Sequence, residues 1–185
     1  MKKSRILSIV AVLSLCVALM TPLASAEDAP SVKSAAIYLM DRETGYVYFS
    51  QNAETKVYPA SLTKIMTALV VIEAVQAGEV TMDDMVTAQP GFNFDQDDAG
   101  STASIVEGET LSLRDLLYCT MVVSANEACN ILAIYLCGST SAFVDRMNQR
   151  AAELGCTGTH FANTHGLPDE NHYTTALDMA RIAAK

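Results

Sequence analysis

The chain has 185 residues, a length that suits one domain with a sizeable buried core. Half of the residues are hydrophobic and 18% are charged, which excludes an intrinsically disordered chain. The formal net charge of -9 argues against a nucleic-acid partner, because binding nucleic acid requires a basic face.

Residues 1–26 have the pattern of a secretory signal peptide. Three basic residues precede an apolar run over 6–20, and Ala24-Ser25-Ala26 forms a small-x-small cleavage site. The alternative is a membrane anchor, but the run is shorter than the roughly 20 apolar residues that span a bilayer. We therefore expect an exported protein whose folded domain lies in residues 27–185.

The first predicted elements of this domain are a β-hairpin and a buried helix. Residues 35–41 and 46–50 are rich in β-branched and aromatic side chains, and Gly45 stands at the turn between them. The helix is predicted over 61–77 and ends at Gly78. It is apolar on nearly every side, as is typical of a helix in the centre of a domain. The polar residues gathered in its first turns therefore require an explanation.

The remaining pattern predicts a loop-rich stretch over 79–110 and then four helices. Helices are expected from Ser112, over about 125–137, over about 140–154, and from Thr175 to Lys185. Ser112 and Thr175 each have Asp three residues later, which resembles a capping pattern. The segment 156–174 is predicted to be a loop. One hairpin is a small sheet for an α/β domain, so we expect more of the domain to follow Lys185.

Ser61 and Lys64 form the first pair of chemically interesting residues. Residues three apart on a helix lie on one face, so the Lys64 amine can reach the Ser61 hydroxyl, which needs a neighbouring base to act as a nucleophile. Burial and the positive end of the helix dipole both disfavour the ammonium form of Lys64. The Ser61 backbone N–H is a candidate oxyanion donor. The alternative is an ordinary helix start with a solvent-directed lysine, which the apolar helix disfavours.

Ser124 and Asn126 form the second pair, between two apolar helices. Ser124 is a candidate to pass a proton to a leaving group, and Asn126 is a candidate to hold a substrate amide. The structural alternative is that Ser124 and Glu127 form a capping box.

In this order, the two pairs resemble the S-x-x-K and S-D-N signature of penicillin-binding proteins and class A β-lactamases. Residues 59–67, which read PASLTKIMT, and residues 116–128 are similar to the low-molecular-mass D-alanyl-D-alanine carboxypeptidases, with Glu127 where Asp is usual. His165-Gly166-Leu167 and residues 173–180 continue the similarity, which covers residues 33–185.

This resemblance implies an α/β fold of the β-lactamase/D,D-peptidase type, a sandwich of antiparallel sheet with flanking helices plus an all-helical lobe. It implies a serine-type carboxypeptidase that removes the terminal D-alanine from peptidoglycan stem pentapeptides through an acyl-enzyme on Ser61. Penicillins and other β-lactams would acylate the same serine, and no metal or other cofactor is needed. The implied catalytic residues are Ser61, Lys64, Ser124 and Asn126, and the implied substrate contacts are Asn126 and His165. The expected setting is cell-wall biogenesis and cell shape, in the cell envelope or outside the cell.

The family's third motif, Lys-Thr-Gly, does not occur in the 185 residues. We therefore expect the chain to end before that motif and before the C-terminal strands. Loss of one oxyanion donor alone costs about 10²–10³ in rate, which puts the activity of this chain in question. The alternatives are a serine β-lactamase, whose deacylating Glu motif residues 170–171 do not match, and an inert exported binding domain. Membrane association is expected only through a segment after Lys185.

The cysteines and histidines give no metal pattern. His160, His165 and His172 share a loop but lack zinc-site spacing. Export permits disulfides among Cys119, Cys129, Cys137 and Cys156. Three of these cysteines lie in apolar helical patterns, which favours buried thiols, with disulfides as the alternative.

Overall fold

The computed structural model describes residues 32–90, 92 and 100–185. The predicted signal peptide lies outside the described residues, as does most of the acidic segment 95–100. The chain divides into two units after Lys33, and the elements described below belong to the unit Ser34–Lys185.

A β-hairpin opens this unit, as predicted. Strands β1 (Ile37–Met40) and β2 (Val47–Gln51) pair antiparallel. The side chain of Asp41 accepts a hydrogen bond of 2.7 Å from the backbone N–H of Thr44. Gly45 adopts the left-handed conformation with φ of 73°, which glycine takes without the steric cost of a Cβ.

The central element is helix α1 (Thr63–Gln76), which a single 3-10 turn (Ala60–Leu62) precedes. The predicted helix over 61–77 is therefore confirmed, with a tighter first turn than a regular α-helix. Ser61 lies in the 3-10 turn, and Lys64 is the second residue of α1. The helix ends as predicted, because Gly78 follows with φ of 74°.

A short antiparallel pair begins inside the stretch 79–110, which we expected to be loop-rich, and its second strand crosses the end of that stretch. Strands β3 (Met85–Thr87) and β4 (Thr110–Ser112) have three residues each. A three-residue strand is too short for an alternating pattern to stand out in the sequence, which explains why it was not predicted.

Four more helices lie at the predicted positions: α2 (Leu113–Val122), α3 (Asn126–Cys137), α4 (Thr140–Glu153) and α5 (Ala176–Ala183). The hydroxyls of Ser112 and Thr175 accept hydrogen bonds from the backbone N–H groups of Asp115 and Asp178, which confirms both predicted caps. Helix α5 ends at Ala183 and not at Lys185.

Among the residues that the structure describes, the hydrophobic core joins the five helices through α1, which contacts each of the other four. Its largest fully buried side chains include Phe92, Phe143, Phe161 and Met66. Burial of one such side chain contributes about 1.5–3 kcal/mol. The four cysteines named above are free thiols, as the helical patterns favoured.

In the part of the chain that the structure describes, no single helix is long and apolar enough to cross a bilayer. The bent pair of α3 and α4, with an angle of 86° between them, meets the length and composition test together.

Candidate active site

The side chain of Lys64 is the centre of the site. It is buried, with 3% of its surface exposed. Its Nζ donates hydrogen bonds to Asn126 Oδ1 at 2.7 Å, to the backbone oxygen of His165 at 2.8 Å and to Ser61 Oγ at 3.3 Å. The expected proximity of Lys64 and Ser61 is therefore present, and helix α3 and the loop after α4 both reach the same amine.

Ser61 lies at the open side of this arrangement, where a substrate can approach. Its side chain is exposed, and Ser124 Oγ donates a hydrogen bond to Ser61 Oγ at 3.1 Å. The Ser61 hydroxyl therefore contacts both the Lys64 amine and the Ser124 hydroxyl. The structure brings together all four residues for which sequence reasoning predicts catalytic roles.

Two non-glycine residues at the site have backbone conformations in the left-handed region. Ala60, just before Ser61, has φ of 48°, and Ser124 has φ of 61°. Such conformations cost free energy and persist only where surrounding contacts enforce them. They are concentrated at active sites more than elsewhere, because a sharp turn can expose one side chain.

The burial of Lys64 favours its neutral form. Desolvation by burial lowers the pKa of Lys64 from 10.5, and it outweighs the interactions with Cys129 and Glu127 that raise this pKa. Burial was one of the two causes expected from the sequence. A lysine with a lowered pKa offers more free amine near neutral pH and is a better general base.

The polar residues in the first turns of α1 are explained by the loop that follows α4. Thr63 Oγ1 lies 2.7 Å from His172 Nε2, and Thr67 Oγ1 donates a hydrogen bond of 2.6 Å to the backbone oxygen of Thr164. Together with the Lys64 contact to His165, these bonds attach the loop 160–174 to one side of the helix. Sequence reasoning identified neither threonine nor His172 as part of the site.

His172 is held in a defined tautomer by its two neighbours. The backbone N–H of Ala162 donates to His172 Nδ1 at 3.0 Å, so this nitrogen is an acceptor. In the neutral ring, the proton is therefore on Nε2, which donates to Thr63 Oγ1. Burial lowers the pKa of His172, which favours this neutral form.

His165 contributes a backbone oxygen to the Lys64 amine. Its side chain is also buried, and Nδ1 accepts a hydrogen bond from the backbone N–H of Leu167 at 3.2 Å. Desolvation lowers the pKa of His165 to about 4, so the ring is neutral at pH 7. The predicted contact of this side chain with substrate stays a prediction.

Gly166 allows the loop to touch the 3-10 turn that carries Ser61. It has φ of 97°, and a Cβ at this position would overlap the backbone carbonyl of Ala60. Only glycine fits both the backbone conformation and the space. Sequence reasoning did not predict this requirement, since the two segments are about 100 residues apart.

The structural alternative for Ser124 and Glu127, a capping box, is not formed. The N-cap residue of α3 is Ala125, and no side chain caps this helix end. The Ser124 hydroxyl is directed to Ser61 instead, and Glu127 points inward, where its Oε1 accepts a hydrogen bond from the backbone N–H of Ala103 at 2.6 Å.

A cavity of about 380 Å³ lies beside the 3-10 turn. Its walls include the apolar side chains of Tyr58, Leu167 and Pro168. Within residues 32–90, 92 and 100–185, no three His, Cys, Asp or Glu side chains are grouped so that they can hold a metal ion.

Known proteins are similar to this chain in both sequence and fold. The sequence model described as D-alanyl-D-alanine carboxypeptidase matches residues 23–185. The chain is 37% identical over 160 residues to D-alanyl-D-alanine carboxypeptidase DacF of Bacillus subtilis, covering 86% of this chain and 40% of the relative. It is 40% identical over 158 residues to DacC of Escherichia coli, covering 84% of this chain and 40% of the relative.

Among solved structures, penicillin binding protein 5 from Haemophilus influenzae matches with a TM-score of 0.81 and 35% identity, over 84% of this chain and 45% of that chain. This match confirms the predicted D,D-peptidase fold class. The chain spans 40% of the length of the two curated relatives given above. With a family match over residues 23–185, which include all of the described residues, the chain belongs to the D-alanyl-D-alanine carboxypeptidase family.

Proposed function

We propose that this chain carries the acylation centre of a serine-type D-Ala-D-Ala carboxypeptidase that removes the terminal D-alanine from peptidoglycan stem pentapeptides. The observation that carries the proposal is the contact of the buried Lys64 amine with the exposed Ser61 hydroxyl. A serine becomes a useful nucleophile only beside a base, and a desolvated lysine is such a base.

In the proposed reaction, Ser61 Oγ attacks the carbonyl carbon of the D-Ala–D-Ala bond while its proton passes to Lys64 Nζ. The tetrahedral intermediate then expels D-alanine, whose nitrogen receives a proton through Ser124 Oγ, which lies 3.1 Å from Ser61 Oγ. An ester between Ser61 and the shortened peptide results. Water attacks this ester, releases the peptide carboxylate and returns the proton to Ser61.

Asn126 has two roles in this proposal. Its Oδ1 accepts a hydrogen bond from Lys64 Nζ at 2.7 Å and so directs the amine. Its amide Nδ2 is the group proposed to bind the substrate backbone. His165 contributes its carbonyl to the same orientation of Lys64, and its side chain is proposed to line the substrate cleft.

Residues 27–185 are proposed to be the N-terminal part of the catalytic domain, and residues 1–26 are proposed to direct export. The substrate is part of the cell wall, so the proposed site of action is the cell envelope or the medium outside the cell. A penicillin resembles the D-Ala–D-Ala terminus and is proposed to form the same kind of ester with Ser61.

The test is covalent labelling with a fluorescent penicillin, followed by a denaturing gel and mass spectrometry of the labelled peptide. We expect a label on Ser61 that disappears in Ser61→Ala. Ser50→Ala is the matched control, because Ser50 is exposed in the hairpin and its loss should leave labelling unchanged. A folded wild-type chain that takes up no label contradicts the proposal and favours an inert domain. Rapid release of the label favours a β-lactamase.

A further inference from the structure

Glu127 is a buried acid directly beside the site. It follows Asn126 in α3, and 3% of its surface is exposed. Its Oε1 accepts hydrogen bonds from Thr102 Oγ1 at 2.7 Å and from the backbone N–H of Ala103 at 2.6 Å. Its Oε2 has no hydrogen-bond partner among the described residues. Burial of a carboxylate is costly, so a position of this kind needs a compensating interaction.

The hydrogen bonds of Glu127 organise the segment beside the Ser124–Asn126 motif. Thr102 Oγ1 accepts a hydrogen bond from the backbone N–H of Ser104 at 2.8 Å and donates one to Glu127. This hydroxyl therefore links the backbone of segment 101–105 to the Glu127 carboxylate. The backbone N–H of Asn126 donates to the backbone oxygen of Ser101 at 2.9 Å. The acid therefore fastens segment 101–105 to the start of α3.

Glu127 also interacts electrostatically with Lys64, whereas Cys129 and His165 near this lysine are neutral at pH 7. The interaction with Glu127 raises the pKa of Lys64 against the effect of burial. Burial raises the pKa of Cys129 to about 12 and lowers that of His165 to about 4, so neither group is charged at pH 7. Cys119 lies in helix α2, and burial likewise raises its pKa.

We propose that Glu127 is a positioning residue of this site, whose buried carboxylate fixes segment 101–105 beside Asn126 and places a negative charge on the inner side of the residue that binds the Lys64 amine. A negative charge favours the ammonium, whereas burial favours the free amine, and the balance of the two effects determines the working pH range. The effect of Glu127 on catalysis rests on the proposed function, whereas its effect on the pKa of Lys64 does not.

The direct test is an NMR titration of Lys64 in the full chain with ¹³C-labelled lysine, in which the Lys64 signal is assigned by its loss in Lys64→Arg. Glu127→Gln keeps an oxygen acceptor and removes the charge. We expect its Lys64 midpoint to be lower than in the wild type by about half a pH unit or more. Glu127→Asp keeps the charge and should fall nearer to the wild type than Glu127→Gln does.

The matched control is Glu107→Gln, which removes one negative charge from an exposed turn and should leave the Lys64 midpoint in place. Coincident Lys64 titrations in wild type and Glu127→Gln, or a higher midpoint in the variant, would overturn the proposal. An equal shift in Glu107→Gln would also overturn it, because general net charge would then explain the effect.

Glu127→Asp gives a second test that does not need a folded Glu127→Gln. Because it keeps the negative charge, a Lys64 midpoint lower than in the wild type by about half a pH unit or more in a folded Glu127→Asp would contradict the proposal.

Penicillin labelling separates this proposal from the proposed function. Where the wild type is labelled, the acid limb of the labelling rate should move to lower pH in Glu127→Gln. An unlabelled wild type with a shifted Lys64 titration would refute the carboxypeptidase centre and leave the role of Glu127 intact.

Discussion

The oxygen atoms that accept hydrogen bonds from Lys64 carry no formal charge. Its three hydrogen-bond acceptors are a serine hydroxyl, an asparagine amide oxygen and a backbone carbonyl. These groups direct the amine without supplying a formal negative charge, so the cost of burial is only partly offset. The result is a lysine with a fixed direction and a lowered pKa, which are the two properties that a general base requires.

We predict that acylation by penicillin increases with pH through the lowered pKa of Lys64 and is lost as the pH falls below it, because only the free amine accepts a proton. Lys64→Arg keeps a positive charge that does not titrate in this range, so its labelling rate should fall by about 10²–10⁴ at every pH. The measurement is the labelling rate between pH 5 and about pH 10.

Lys56→Arg is the control for this prediction, since Lys56 lies over the ring of Tyr173 at 3.8 Å, away from the three acceptors of Lys64. Its labelling rate should match that of the wild type. Wild-type labelling in Lys64→Arg would mean that another group removes the proton from Ser61.

The sequence predicts the residues that act through local spacing and misses those that act across the fold. Ser61 and Lys64 were identifiable because three residues on a helix determine their distance. Thr63 and His172 meet at 2.7 Å although 109 positions separate them, and no short pattern encodes that contact. The sequence left open whether Glu127 belongs to a cap, because a capping box and an inward-pointing acid have the same local sequence.

At the scale of elements, the loop 160–174 determines how the site is assembled. It bonds to Thr63, Lys64 and Thr67, which lie in the first two turns of α1. These contacts explain why a helix with a buried apolar surface begins with polar residues. The sequence showed that polar residues begin an apolar helix. It did not indicate which segment would cover them, because a loop has no periodicity to interpret.

We predict that Gly166→Ala displaces this loop from the 3-10 turn, because the new Cβ would overlap the carbonyl of Ala60. We expect a loss of about 2 kcal/mol or more in the free energy of unfolding, together with loss of penicillin labelling. Chemical denaturation and the labelling assay measure the two effects.

Gly108→Ala is the control for the backbone conformation alone. Gly108 has φ of 84°, close to the 97° of Gly166, but no atom lies within 4 Å of the position of its Cβ. This variant should lose about 1 kcal/mol and keep its labelling. Equal losses of stability and labelling in both variants would contradict a steric role for Gly166.

At the scale of the whole molecule, the described part of the fold depends on a shared hydrophobic core and contains no cross-link between cysteines. The buried side chains of all five helices belong to one cluster, and the four cysteines named above are free thiols. Cys129 donates to the backbone oxygen of Ala125 at 3.4 Å, and Cys156 donates to that of Asp178 at 3.6 Å. Each of these two thiols therefore has a backbone acceptor nearby and no sulfur partner. Helical periodicity predicted this burial, although it could not show the acceptors.

We predict that a reducing agent leaves the thermal unfolding midpoint unchanged, and that the buried thiols resist alkylation until the core opens. Burial raises the pKa of Cys129 to about 12 and that of Cys156 to about 11, so reactive thiolate is scarce at pH 8 as well as inaccessible. Iodoacetamide should therefore spare both residues in the native protein and modify all four thiols in denaturant. Peptide mass spectrometry distinguishes the four sites, and the half-buried Cys119 and Cys137 are the internal controls for reagent access. A disulfide in the unreduced protein, or native alkylation of Cys129 as fast as that of Cys119, would show that the helices do not share one closed core.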